Sequence, residues 1–144
     1  MQIYNKRANF DYLLEGERIE VGLVLSGGEA KAVRTGHADL SRAVVRILNG
    51  ECYLINANIP VSGVGEKYVS TRTRKLLLHR SELLSIATKA KQRKLTLVPV
   101  KLYNKRRLIK LALALGKSKR KFEKKELIKR KDLEREIERD FRIR

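Results

Sequence analysis

The stretch Ala43-Val44-Val45-Arg46-Ile47-Leu48-Asn49-Gly50-Glu51-Cys52-Tyr53-Leu54-Ile55-Asn56 sets the fold class. Two β-rich runs flank Asn49-Gly50, a dipeptide that accepts the positive φ angles of a type I′ turn. Such a turn twists as paired strands do, so residues 43–56 are predicted to form a β-hairpin.

Working outward, the same grammar recurs. Phe10, Tyr12 and Leu14 alternate with polar or small neighbours, Gly16 allows a reversal, and Val21, Leu23 and Leu25 alternate in the partner strand. After Gly27 and Gly28 the composition of residues 29–34 suits a short helix closed by Gly36. Residues 60–71, with Pro60, Gly63 and Gly65, predict a loop. Ser81 can cap a helix whose apolar face is Leu83, Leu84, Ile86, Ala87 and Ala90. Residues 96–103 and 108–115 form a second hairpin around residues 104–107. Pro99 lacks a donor N–H and so belongs at a sheet edge or a bulge. Six short antiparallel strands, with one substantial helix between the fourth and fifth, predict a mainly β fold with short helices. Its natural form is a small oligonucleotide-binding-type (OB-like) β-barrel over residues 1–115.

At Gly116 the character changes. Residues 116–131 carry nine basic and two acidic side chains, and residues 132–144 four basic and five acidic. In a helix, Phe122, Leu133, Ile137 and Phe141 would line one side. That stripe is too thin to offset the cost of nucleation. The tail, residues 116–144, is therefore predicted to be disordered when alone.

The 144 residues include 34 Lys and Arg against 16 Asp and Glu, a net charge of +18. Self-repulsion of that size points to a polyanionic partner, nucleic acid or an anionic membrane. The longest nearly apolar run, residues 108–115, is eight residues long and contains Lys110, too short to span a bilayer. Residues 1–20 hold Arg7, Asp11, Glu15, Glu17, Arg18 and Glu20 among their charged side chains, so no signal core is expected and the cytoplasm is the predicted location. One cysteine, Cys52, excludes an internal disulfide and a cysteine-based metal cluster.

Two motifs suit RNA. Thr71-Arg72-Thr73-Arg74-Lys75-Leu76-Leu77-Leu78-His79-Arg80 has four fixed positive charges and no acid, and Arg forks onto phosphate while Thr bonds its oxygens; a solvated loop explains it equally well. Lys117-Ser118-Lys119-Arg120-Lys121 is a second basic cluster. Ser26-Gly27-Gly28-Glu29-Ala30-Lys31 opens a helix but lacks the Gly-Lys-Ser/Thr ending of a P-loop, so it reads as a turn. His37 and His79 have no paired carboxylates or metal-ligand spacing around them. Neither an enzyme, a cofactor nor a metal site is predicted.

Several segments, in order, resemble the SsrA-binding protein family. They are Asn5-Lys6-Arg7-Ala8 with Asp11-Tyr12, then Glu20-Val21-Gly22-Leu23-Val24-Leu25 with Glu29-Ala30-Lys31 and Arg34-Thr35-Gly36. Asn56-Ala57-Asn58-Ile59, the Thr71 to Leu78 motif unchanged, Leu97-Val98-Pro99-Val100-Lys101-Leu102-Tyr103 and Leu113-Ala114-Leu115-Gly116-Lys117 follow. The chain departs from the family pattern at Asn9-Phe10, Arg42, Val44 and Val69-Ser70, and Phe122-Glu123-Lys124-Lys125 comes two residues late after Gly116-Lys117.

The resemblance implies an OB-like barrel that grips the tRNA-like part of transfer-messenger RNA. It implies delivery of that RNA, with an elongation factor and GTP engaged through the RNA, to stalled ribosomes for trans-translation. The chain would be a monomer when free. RNA-surface positions would be Asn5, Arg7, Tyr12, Glu20, Lys31, Arg72, Arg74, Lys75, Leu77 and His79, with Glu20 bonding sugar or base edges. The tail would become helical in the vacant messenger channel. There Lys117, Lys119, Arg120, Lys121, Phe122, Glu123, Lys124 and Lys125 would meet small-subunit ribosomal RNA near the decoding centre. A structural ribosomal protein with a small barrel explains the charge but not the ordered blocks.

Overall fold

The computed structural model describes residues 2–119 and, in the tail, Lys129, Lys131, Asp132 and Arg135, which are helical and exposed. In chain order the elements are β1 (Gln2–Tyr4), α1 (Ala8–Asp11), β2 (Tyr12–Leu23), α2 (Gly27–Arg34), β3 (Val44–Leu48), β4 (Glu51–Ile55), β5 (Arg74–Leu77), α3 (Arg80–Gln92), β6 (Thr96–Lys105) and β7 (Leu108–Ser118).

The Asn49-Gly50 hairpin forms as its chemistry requires. Both residues have positive φ, 52° and 75°, and Leu48 pairs with Glu51. All seven strands join one antiparallel sheet in the order β1-β6-β7-β2-β5-β4-β3. The sheet curls until the edge strand β3 lies against β6, giving a partly closed barrel. Alternation puts Val21, Leu54, Leu76, Leu102, Leu111 and Leu113 inside, where α2 adds Ala32 and Val33 and α3 adds Leu83 and Ile86. The helix expected to be capped by Ser81 begins two residues earlier: His79 occupies its N-cap and makes no side-chain capping bond. Of its proposed apolar face, Leu83 and Ile86 are buried while Leu84 is 60% exposed.

Three local expectations change. Gly16 has φ +72° but does not reverse the chain. β2 pairs with β7 both before it and after it, and the register slips between Glu15 and Ile19, so Gly16 serves a bulge. Phe10 lies in α1, not in a strand, with the Arg7 guanidinium 5.2 Å from its ring centre. β7 runs past Leu115 to Ser118, and Gly116 is packed so closely that a Cβ there would meet Leu14, Tyr12 and Val98 side-chain atoms at 3.1 Å. Lys119 follows the strand, its amide donating to Asp11 O at 2.9 Å.

Pro99 sits at the second bulge, where β6 slips against β7 between Pro99 and Lys101. The free carbonyls of that bulge are taken by Asn5. Its Nδ2 donates to Pro99 O (2.8 Å) and its backbone N to Val100 O (2.7 Å).

Candidate nucleic-acid interface

The outer face of the sheet is built by the residues that alternate away from the core. Register aligns Tyr103 of β6, Lys110 of β7, Gly22 of β2 and Leu77 of β5 in one row. Lys101, Ala112 and Glu20 form the next. At their meeting with the start of α3, Glu20, Gly22, Leu77, Leu78, His79, Glu82 and Lys110 line an open cleft of about 320 Å³.

Leu77 is 52% exposed in the middle of this ionic rim. Leu77 packs beside Gly22 of β2: a Cβ at Gly22 would lie in ordinary van der Waals contact with it, at 3.4 and 3.5 Å. A flat apolar surface flanked by hydrogen-bonding groups suits a ribose or an unstacked base. Glu20 supplies the acceptor. Tyr103 Oη donates to its carboxylate at 2.5 Å and Lys105 Nζ at 3.3 Å. The Tyr103 hydrogen bond chiefly, helped by the Lys105 hydrogen bond and the Lys105 and Lys110 charges, holds the Glu20 carboxyl below the usual carboxylate range against the opposing effect of desolvation. Burial and the Glu20 acceptor push the Tyr103 phenol up, so it remains a donor at neutral pH. Within the protein, then, Glu20 is partnered by a tyrosine and a lysine. The carboxylate is shared, with acceptor capacity left for an RNA hydroxyl or amino group.

The Thr-Arg-Thr-Arg segment splits into a surface half and an interior half. Glu29, fully enclosed, closes a capping box with Ser26 at the start of α2. Its carboxylate accepts from Ser26 N (2.9 Å), Arg72 Nε (3.0 Å), Arg74 Nε (2.8 Å) and Tyr68 Oη (3.2 Å). Burial raises its pKa, but the bonds from Arg72, Ser26 and Arg74 outweigh that and bring it to about 2. Arg74 is also fully enclosed, and its remaining donors reach Ala57 O (2.6 Å), Arg72 O (2.9 Å), Ser70 O (2.9 Å) and Tyr68 Oη (3.2 Å). Every guanidinium donor is engaged, so Arg74 cannot grip phosphate. It ties the loop before β5 to α2.

Asn5 is corrected in the same way: it is buried, and its amide pins β1 to the β6 bulge instead of facing outward. Arg7 is exposed and pairs with Asp11 at 3.2 Å. Together with the half-buried Tyr12 it marks a second location, near α1 and Arg42. Lys31 is exposed on α2, Arg72 keeps one edge outward, and Lys75 is exposed on β5 with its ammonium 3.0 Å from Glu51. The structure therefore brings Glu20, Leu77 and His79 together with Lys75 alongside on β5. It does not bring Arg7, Tyr12 or Lys31 to that cleft. Lys117 lies in β7 opposite Leu13, and the Lys119 ammonium bonds Asn9 O at 2.5 Å. Arg120, Lys121, Phe122, Glu123, Lys124 and Lys125 lie outside the described residues.

Sequence reasoning passed over Tyr103, Lys105 and Lys110, which share the face with Glu20. The signal was available in the alternation Lys101, Tyr103, Lys105 around buried Leu102. Among the described residues no group of three or more metal-ligating side chains converges, and no helix is long and apolar enough to cross a membrane. Cys52 is buried, and its thiol is pushed up to about 11 by that burial.

A family model described as SmpB protein matches residues 2–143. The chain belongs to the SmpB protein family. The SmpB match takes in the tail as well as the body, so the basic segment after β7 is part of the family pattern. Similar relatives include the SsrA-binding protein of Bacillus licheniformis, 45% identical over 142 residues that cover 97% of this chain and 90% of the relative. The SsrA-binding protein of Bacillus subtilis is 44% identical over 140 residues, 96% of this chain and 89% of the relative. A solved structure described as "tmRNA-SmpB: a journey to the center of the bacterial ribosome" has 37% identity and a TM-score of 0.69, covering 88% of this chain and 94% of its own. The ordered blocks that resembled the SsrA-binding protein family mark true kinship.

Proposed function

We propose that this chain binds the tRNA-like domain of transfer-messenger RNA and delivers it to stalled ribosomes for trans-translation. The observation that carries the reading is the SmpB family match over residues 2–143, at up to 45% identity to SsrA-binding proteins. The outer-face cleft supports it, because Glu20, Leu77 and His79 meet there with exposed cations beside them. The activity is binding and escort, with no chemical step. The body through Lys119 holds the RNA, and the tail enters the vacant messenger channel. Phe122 stacks there on an unpaired ribosomal RNA base near the decoding centre, and Lys121, Lys124 and Lys125 neutralise adjacent phosphates. The elongation factor with GTP is engaged through the RNA, and the free protein is a cytoplasmic monomer.

The test is reconstituted translation of a messenger lacking a stop codon, with transfer-messenger RNA and the elongation factor present. The chain should be required for tagging of the stalled peptide. Association with ribosomal RNA alone, and no tagging, would instead make it a structural ribosomal protein.

A further inference from the structure

The β6–β7 connection is a two-residue turn, Arg106-Arg107, since Lys105 pairs with Leu108. Both arginines have positive φ, 49° and 70°. A hairpin turn with that backbone favours Asn-Gly, because a side chain in the left-handed region crowds the backbone. The same chain places Asn-Gly in its other two-residue hairpin, at Asn49-Gly50. Two arginines in the strained positions are therefore held there against local preference.

The turn is also braced from outside: Arg34, the last residue of α2, donates from Nη2 to Arg107 O at 2.8 Å. Both turn guanidiniums are exposed, and among the described residues neither has an ion pair or hydrogen-bond partner. Their sequence neighbour Lys105 reaches Glu20, at the rim of the outer-face cleft. One helical turn before Arg34 on α2 stands exposed Lys31. Lys31, Arg34, Lys105, Arg106 and Arg107 thus run as a basic ridge toward Glu20, the acid that Lys105 pairs with. Backbone strain spent on presenting unpaired cations beside a binding cleft is the mark of a working contact.

We propose that the Arg106-Arg107 turn is a phosphate clamp for the RNA held on the neighbouring outer face. This rests on the proposed function above and adds a site to it. The planar guanidinium forks match phosphate oxygens, and the rigid two-residue turn with its Arg34 brace fixes where they point.

The test compares the full chain with an Arg106→Asn, Arg107→Gly double variant, using a transcript of the tRNA-like domain. Each lost phosphate contact flattens the plot of log K against log salt by about 0.7–0.9, so the double variant should lose about 1.4–1.8 in slope. Near 0.1 M salt that corresponds to affinity lower by roughly 25- to 60-fold. Its thermal midpoint should rise, because Asn-Gly relieves the strain. Arg106→Lys with Arg107→Lys should keep most of the slope. Opposite movements of affinity and stability support the clamp. A more stable variant with unchanged slope overturns it while leaving the wild-type affinity, and with it the proposed function, intact. Loss of slope on isolated small ribosomal subunits but not on the transcript also overturns it. Wild-type protein that fails to bind the transcript removes the proposed function and the clamp together.

Discussion

Replacing Arg74 with Met should unfold the body more readily while leaving its RNA contacts in place. Arg74 and Glu29 are both fully enclosed, with Nη2 and Oε2 2.7 Å apart. Met retains much of the stem volume but removes the charge. It leaves Glu29 with only Arg72 as a cationic partner and strips donors from the carbonyls of Ala57, Ser70 and Arg72. Breaking one side of a buried pair costs about 3–5 kcal/mol. For a body of this size each kcal/mol lowers Tm by about 3–5 °C, so a drop of roughly 9–25 °C is expected. The assay is a thermal melt followed by circular dichroism, paired with RNA titration well below the variant's midpoint. Affinity there should stay within about threefold of wild type, under 0.7 kcal/mol. An unchanged midpoint with a large loss of affinity would refute the argument and make Arg74 a direct RNA contact.

The remaining predictions concern pH, the cleft and the tail. Glu29 has its folded pKa depressed to about 2 from 4.5, so its contribution is fully present above about 4.5 and is lost as pH falls toward 2. The shift corresponds to about 3 kcal/mol, and Glu29→Gln should flatten the acid limb of a stability-versus-pH curve. Tyr103→Phe removes the donor that fixes Glu20 and should weaken RNA binding by about 2- to 10-fold, with the body's Tm nearly unchanged. Leu77→Ala should likewise reduce affinity more than stability, because Leu77 is half exposed; a fall in Tm without a fall in affinity would make it a packing residue. Removing residues 120–144 should leave affinity for the tRNA-like domain within about tenfold, 1.4 kcal/mol, yet abolish tagging. Phe122→Ala in the full chain should slow tagging while Phe122→Tyr is nearly silent, as expected for stacking worth about 1–3 kcal/mol.

What the sequence disclosed depended on whether the chemistry was local. Asn49-Gly50 declares its own φ angles, and Pro99 declares its missing donor, so the hairpin and the β6 bulge were legible. The second hairpin was legible from its flanking strands, which place the turn within residues 104–107, but not the positive φ angles of Arg106-Arg107, because arginine does not ordinarily choose that backbone. Gly16 signalled a positive φ correctly, but whether it serves a reversal or a bulge depends on β7, about a hundred residues away. β1 is three residues long, and β5 was masked by its own charge. Arg74 looked like a phosphate ligand because composition cannot show that Glu29 lies beneath it. Glu20, Leu77 and His79 came from family resemblance, and the sheet register explains their meeting: Gly22 faces Leu77 on β5 and Lys110 on β7.

The most direct measurement of the central claim is competition binding. Labelled tRNA-like domain of transfer-messenger RNA is titrated with the full chain in the presence of excess ordinary transfer RNA, alongside a variant carrying Leu77→Ala and His79→Ala. The wild-type complex should survive the competitor, and the variant complex should not. Equal displacement of both proteins, or a variant that binds as tightly as wild type, would contradict the account.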